Sequence, residues 1–186
     1  MKLISYVAFL RGINVGGNKI IKMAELKKAF ESIGFLQVQT VLASGNVLFA
    51  SELTNLDTIL KQIEINLEKA VGTKSPVILR TGGDIQHLIR TKPFKNIDVT
   101  VQTRLYVTFL SQDPTLNVKS TLKIPYTSPE KDIRILSVTK QEVLSVMTAS
   151  SRHNSLDLMK ILETEFGKSI TTRNWNTVIK IGKILS

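Results

Sequence analysis

The run Tyr6-Val7-x-Phe9-Leu10 recurs as Tyr106-Val107-x-Phe109-Leu110, four identities each offset by 100 residues. One pentapeptide can match by chance. The order of elements after each copy makes duplication the better reading. Residues 4–11 (ISYVAFLR) read as a buried strand, and the loop 12–19 (GINVGGNK) follows. Met23, Leu26, Ala29, Phe30 and Ile33 then recur at helical spacing and stop at Gly34. Short strands at 38–42 and 47–50 flank Ser44-Gly45-Asn46, which reads as a hairpin tip. Leu56, Ile59, Leu60, Ile63, Leu67 and Val71 line one face of a second helix, capped near Asn55 and ended by Gly72, and residues 76–80 (PVILR) make a fourth strand. The order is β-α-β-β-α-β, the split βαβ of ferredoxin-like domains.

After the second pentapeptide the same order is expected: a strand over 105–110, a short helix over 114–122, and strands over 133–138 and 143–147. A helix through Leu158, Met159, Leu162 and Phe166 follows, capped by Ser155 and ended by Gly167, then a short strand over 169–171. Trp175, Val178, Ile179, Gly182 and Leu185 form an extra closing helical face. The expected fold is α+β, with duplicated ferredoxin-like (βαββαβ) units packed together and an added C-terminal helix. Residues 1–81 form the first unit, 82–103 a linker with a short helix around 85–89, and 104–186 the second unit with the closing helix. The 186 residues, 42% of them apolar, supply enough material for two small cores.

Composition excludes several chemistries. With no cysteine, disulfides, thiol catalysis and Cys-ligated metal sites are ruled out. His87 and His153 stand 66 residues apart with no carboxylate at motif spacing, so no metal site and no cofactor is expected. The apolar run after Lys2 is too short for a membrane span and lacks a cleavage site, so the chain reads as cytoplasmic with no membrane partner. Twenty-five basic against fifteen acidic residues give +10, which favours anionic partners. That surplus is spread: residues 1–93 hold 12 basic and 7 acidic, residues 94–186 hold 13 and 8, so each half is +5.

Three clusters stand out. In the loop after the first strand, Arg11, Asn14, Gly16, Gly17, Asn18 and Lys19 combine cations, amides and glycines whose N–H groups can approach an anion. It is not a phosphate-binding P-loop, because Asn18 stands where that motif requires Lys. A conformationally demanding loop without a ligand explains the glycines equally. Ser44, Gly45 and Asn46 suit a tight hairpin by themselves. The first two strands of a βαββαβ unit run parallel, which brings this hairpin to the same sheet edge as the Gly-rich loop. The third cluster is Thr172, Arg173, Asn174, Trp175 and Asn176. Thr172 or Asn174 would cap the closing helix, and Trp175, the only Trp, suits either a core anchor or a stacking platform.

At these motifs the sequence resembles a bacterial family, domain of unknown function 1697. The matching runs are Phe9-Leu10-Arg11-Gly12-Ile13-Asn14-Val15-Gly16-Gly17 with Met23, Ser44-Gly45-Asn46-Val47 with Phe49, and Thr172-Arg173-Asn174-Trp175-Asn176-Thr177. The resemblance implies an α+β fold with ferredoxin-like subunits. It implies no activity, cofactor or catalytic residue.

Two functional readings follow, and catalytic residues are assigned in neither. In the first, the protein binds single-stranded nucleic acid or nucleotide, on the strength of its charge, its architecture and Trp175 amid amides and Arg173. In the second, it is an enzyme or sensor for a small phosphorylated or carboxylated metabolite. Arg11 and Lys19 would hold the anion, Gly16 and Gly17 would cradle it, and Asn14 and Asn46 would orient it. No general base is evident there. A third reading makes the motifs purely structural in an interaction protein. Charge favours the first, and the sequence leaves the oligomeric state open.

Overall fold

Five of the seven residues of Ile4–Leu10 (β1) are buried, because the strand is covered on both faces and the usual alternation disappears. The computed structural model describes residues 2–14, 21–72, 75–111, 122–149 and 155–186. They form an α+β fold with two antiparallel sheets and five helices.

The chain divides into two compact units, Met1–Arg90 with Ile179–Ser186, and Thr91–Val178. In the first, β1 is followed by α1 (Met23–Glu31), β2 (Leu36–Thr40), β3 (Asn46–Ser51), α2 (Leu56–Val71), β4 (Val77–Thr81) and α3 (Gly82–Arg90). The sheet order is β2-β3-β1-β4, antiparallel throughout. Tyr6, Ala8 and Leu10 of β1 face Leu26 and Phe30 of α1 and Ile59, Ile63 and Leu67 of α2 in one core. Phe49 organises that core, lying 4.3 Å from Phe35 and 5.5 Å from both Tyr6 and Phe30 between ring centres. The Tyr6 hydroxyl donates to Leu53 O at 2.8 Å, which satisfies the polar end of a buried ring. Residues of α5 (Trp175–Ile184) close this unit: Gln86 Nε2 on α3 donates to Gly182 O at 2.7 Å.

Helix limits follow local chemistry. The Asn55 side chain accepts the Thr58 N–H at 3.0 Å at the start of α2, and Gly72 ends it at φ 68. Strand limits move more. β2 begins two residues before the expected 38 and ends at Thr40, because a one-residue irregularity lies between Leu36 and Gln39, with Gln37 at φ 52. The helix expected around 85–89 runs the full length of α3.

In the second unit, β5 (Thr103–Leu110), β6 (Tyr126–Thr127), β7 (Ile133–Val138), β8 (Glu142–Thr148), α4 (Ser155–Phe166) and β9 (Ile170–Asn174) form a sheet of order β6-β7-β8-β5-β9. Leu110, Ile133, Ile135, Val143, Met147 and Ile170 pack with Leu158 and Leu162 of α4. The strand β6 was not anticipated, and β9 extends three residues beyond the expected 171. The helix expected over 114–122 falls, up to residue 121, outside the described residues. No described helix is long and apolar enough to cross a membrane.

Candidate functional site

At the loop end of the first sheet, backbone hydrogen bonds fix the chain as it leaves β1. Leu10 N–H donates to Gly45 O at 2.8 Å and Arg11 N–H to Pro76 O at 2.9 Å, while the Ser75 hydroxyl donates to Arg11 O at 2.8 Å. Arg11 is thus held from two sides at its main chain. Asn14 sits at φ 56, a left-handed conformation that Asn tolerates. Its side chain closes the loop: Oδ1 accepts the Ile21 N–H at 2.8 Å, and Nδ2 donates to Ile21 O at 3.1 Å and Ala43 O at 3.0 Å. Both amide protons are therefore taken by carbonyls. Gly16, Gly17, Asn18 and Lys19 lie outside the described residues.

The hairpin tip meets this loop. Gly45 has φ 69, and a β-carbon there would come within 3.1 Å of the β-carbons of Ile13 and Leu10. Glycine is required both by conformation and by space. Asn46 is fully buried, and its Nδ2 donates to Val41 O at 2.8 Å and to the Ser44 hydroxyl at 3.0 Å. Arg11, Asn14, Ser44, Gly45 and Asn46 accordingly converge, with the amides of Asn14 and Asn46 turned onto the chain itself.

The third cluster belongs to the second unit. Along β9, Thr172 stands opposite Thr108, Arg173 opposite Val107 and Asn174 opposite Tyr106. The hydroxyls of Thr172 and Thr108 are 2.8 Å apart. Arg173 is 9% exposed, and its Nη1 donates to the Thr171 hydroxyl at 2.7 Å and to Thr172 O at 2.9 Å. Burial lowers its pKa to about 10, so the guanidinium remains charged at neutral pH. Of the two expected caps, Asn174 is the one that serves: its Oδ1 accepts the Asn176 N–H at 2.9 Å as α5 begins. Trp175 is half-buried, with Phe94 against it edge-on at 5.2 Å and 66°. The turn that carries Phe94, closed by Lys95 N–H to Lys92 O and Ile97 N–H to Phe94 O, leaves Lys92 and Lys95 exposed.

Sequence reasoning missed Phe94, Lys92 and Lys95 as neighbours of the Trp175 segment, and it missed Arg80. The Arg80 side chain is 8% exposed, and its Nη1 donates to Leu79 O at 2.7 Å. The apolar run Val77-Ile78-Leu79 does not itself announce a covered arginine after it; the register of β4 against β1, with Arg80 opposite Val7, is what does.

A family model described as a protein of unknown function, DUF1697, matches residues 3–143, about three quarters of the chain. The chain belongs to the DUF1697 family. That match takes in the Gly-rich loop and the hairpin of this DUF1697 chain and ends before β9 and Trp175. A conserved bacterial protein from Streptococcus pneumoniae has a similar structure, with a TM-score of 0.74 at 21% identity over the whole of both chains. The likeness shows a shared fold. No curated protein matches the chain. Among the described residues, no three His, Asp or Glu side chains are grouped to hold a metal ion.

Proposed function

We propose that this DUF1697 protein is a cytoplasmic binding module for single-stranded nucleic acid or nucleotide, with the contact surface at the start of α5 in the second of two ferredoxin-like copies. Duplication is supported by strand order, since β7-β8-β5-β9 repeats β2-β3-β1-β4. Each outer pair carries a register irregularity, Leu36/Gln39 in one and Ile135/Ser137 in the other. Arg80 lies opposite Val7 and Arg173 opposite Val107, the valines of the two repeated pentapeptides.

The observation that carries the binding role is Trp175. It is half-buried, braced edge-on by Phe94, and the turn bearing Phe94 presents Lys92 and Lys95. A braced indole gives a base a face to stack on, and lysines beside it take up phosphate charge. The +10 charge supports an anionic partner, and the absence of cysteine fits a reducing compartment. No catalysed reaction is claimed.

The test is a Trp175 fluorescence titration with mixed-sequence single-stranded RNA. Two lysine–phosphate contacts should weaken binding roughly 7-fold between about 50 and 200 mM salt, and the Lys92→Ala/Lys95→Ala double variant should flatten that dependence. Absence of any signal at either salt, by quenching and by anisotropy of labelled RNA, sinks the proposal.

A second reading, a sensor or enzyme for a small phosphorylated or carboxylated metabolite, is favoured by the Gly-rich loop. Its stem is closed by Asn14 and its Arg11 main chain is held by Pro76 and Ser75. Replacing Arg11 by Ala separates the two, since it would leave RNA binding within about twofold while removing a metabolite's anchor.

A further inference from the structure

Among the described residues, the outer edge of β2 has no strand beside it, whereas the corresponding edge in the second sheet does. β2 ends the order β2-β3-β1-β4; β7 holds the same place relative to β8, β5 and β9, but β6 lies outside it, pairing Tyr126 with Ile135 and Thr127 with Arg134. The register irregularity of β7 begins at Ile135, so such a bulge does not prevent pairing on its outer side. The first sheet has the same irregularity, and among the described residues no strand takes the corresponding outer place.

That edge also carries no charged or proline guard. Exposed edges are normally blunted by charge or proline. Residues 32–51 contain neither, although the chain as a whole is 22% charged. Leu36 and Leu42, at either end of β2, are 54% and 48% exposed. Leu36 and Leu53 also line a groove of about 300 Å³ beside the start of the strand. Val41 N–H donates inward to Asn46 O, so the alternation of an antiparallel ladder turns the N–H and C=O of Thr40 to the open side.

We infer that the β2 edge pairs antiparallel with β2 of a second copy of this chain, joining two four-stranded sheets into one of eight. Symmetry and charge both favour a second copy as the partner. Antiparallel pairing of a strand with itself is two-fold and self-complementary, so each copy satisfies the other's open groups equally. A +10 molecule repels itself over most of its surface, and β2 itself carries no charge, so its backbone can meet that of a second copy without setting a lysine of one strand against a lysine of the other.

Salt should act on this association with the opposite sign from its action on bridging by nucleic acid. Raising salt from about 0.1 to about 1 M shortens the screening length from roughly 10 to roughly 3 Å, which should tighten the dimer by relieving like-charge repulsion. Nucleic-acid binding loosens over the same range.

The experiment is sedimentation equilibrium of the nucleic-acid-free full chain up to about 1 mM, the weak limit of specific association. The expected result is a concentration-dependent dimer that strengthens with salt. Thr40→Pro removes an outward N–H, and Gln39→Lys sets one cation against another near the two-fold; each should shift the species to monomer by at least about tenfold in dissociation constant, with the circular dichroism spectrum unchanged. Gln39 is exposed, so its variant decides the matter should Thr40→Pro disturb the fold. A monomer at every concentration, a dimer that survives Gln39→Lys, or a dimer that weakens with salt overturns the inference.

Discussion

Asn14 does with one amide what a short strand pair would do with two peptide groups: it accepts from and donates to the backbone of Ile21, then reaches Ala43. Removing that amide leaves three backbone groups to find water in a partly buried place. Asn14→Ala should therefore cost about 1–3 kcal/mol. Ser44→Ala, which takes one bond from an Asn46 still held by Val41 O, should cost less than about 1 kcal/mol. Urea unfolding midpoints of the two variants check the order; equal losses would show that the Asn14 clasp carries no special weight. The asparagines were legible as residues for tight loops, but the targets of their amides were not. Those depend on which carbonyls the fold carries past them. Arg80 escaped for a related reason, since an arginine at the end of a strand gives no sign of facing inward until the strand's register is known.

Helices were readable almost to the residue where a cap and a stop coincide. Asn55 and Gly72 bracket α2, and the apolar spacing between them fixes its buried face. The two ends should respond differently. Asn55→Ala removes a side-chain acceptor from the Thr58 N–H and should cost about 1 kcal/mol. A β-carbon at Gly72 meets no atom within 4 Å, so Gly72→Ala pays only for its left-handed φ, again about 1 kcal/mol. Gly45→Ala adds a clash with Ile13 and Leu10 to the same conformational cost and should exceed both. Thermal melts rank the three, and a Gly45→Ala change no worse than Gly72→Ala would contradict the packing of the hairpin on the loop. Strands were less legible. The irregularity at Gln37 breaks the period of two, so the alternation that begins at Val38 hid the first residues of β2. β6 is two residues long and has no pattern to detect.

At the scale of the molecule, alkaline stability combines opposing titrations. Burial raises the pKa of Tyr6 above its ordinary 10.0, so the folded chain keeps a proton that the unfolded chain releases first. The contribution of Tyr6 to stability is therefore flat below about pH 10 and is lost as pH climbs from there through the folded value. Arg173 works the other way: burial brings its folded pKa down to about 10, below that of the unfolded chain, so its contribution to stability rises with pH above about 10. Tyr6→Phe should lower stability at pH 8 by about 1 kcal/mol through the lost bond to Leu53 O. It should also soften the decline above about pH 10, as read from urea midpoints. An unchanged alkaline slope would show that folding leaves the Tyr6 pKa where it lies in the unfolded chain.

The division of α5 sets a schedule for synthesis. Its first residues, through Val178, belong to the second unit, and Ile179–Ser186 belong to the first. When a ribosome has made residues 1–90, Gln86 still lacks the carbonyl of Gly182, 96 positions further along the message. Sheets and helices of the first unit can assemble as they emerge, in the usual order of translation. Its closing helical turn arrives only after the second unit has been translated, so a nascent chain stalled near residue 100 should present α3 with its partner still unmade.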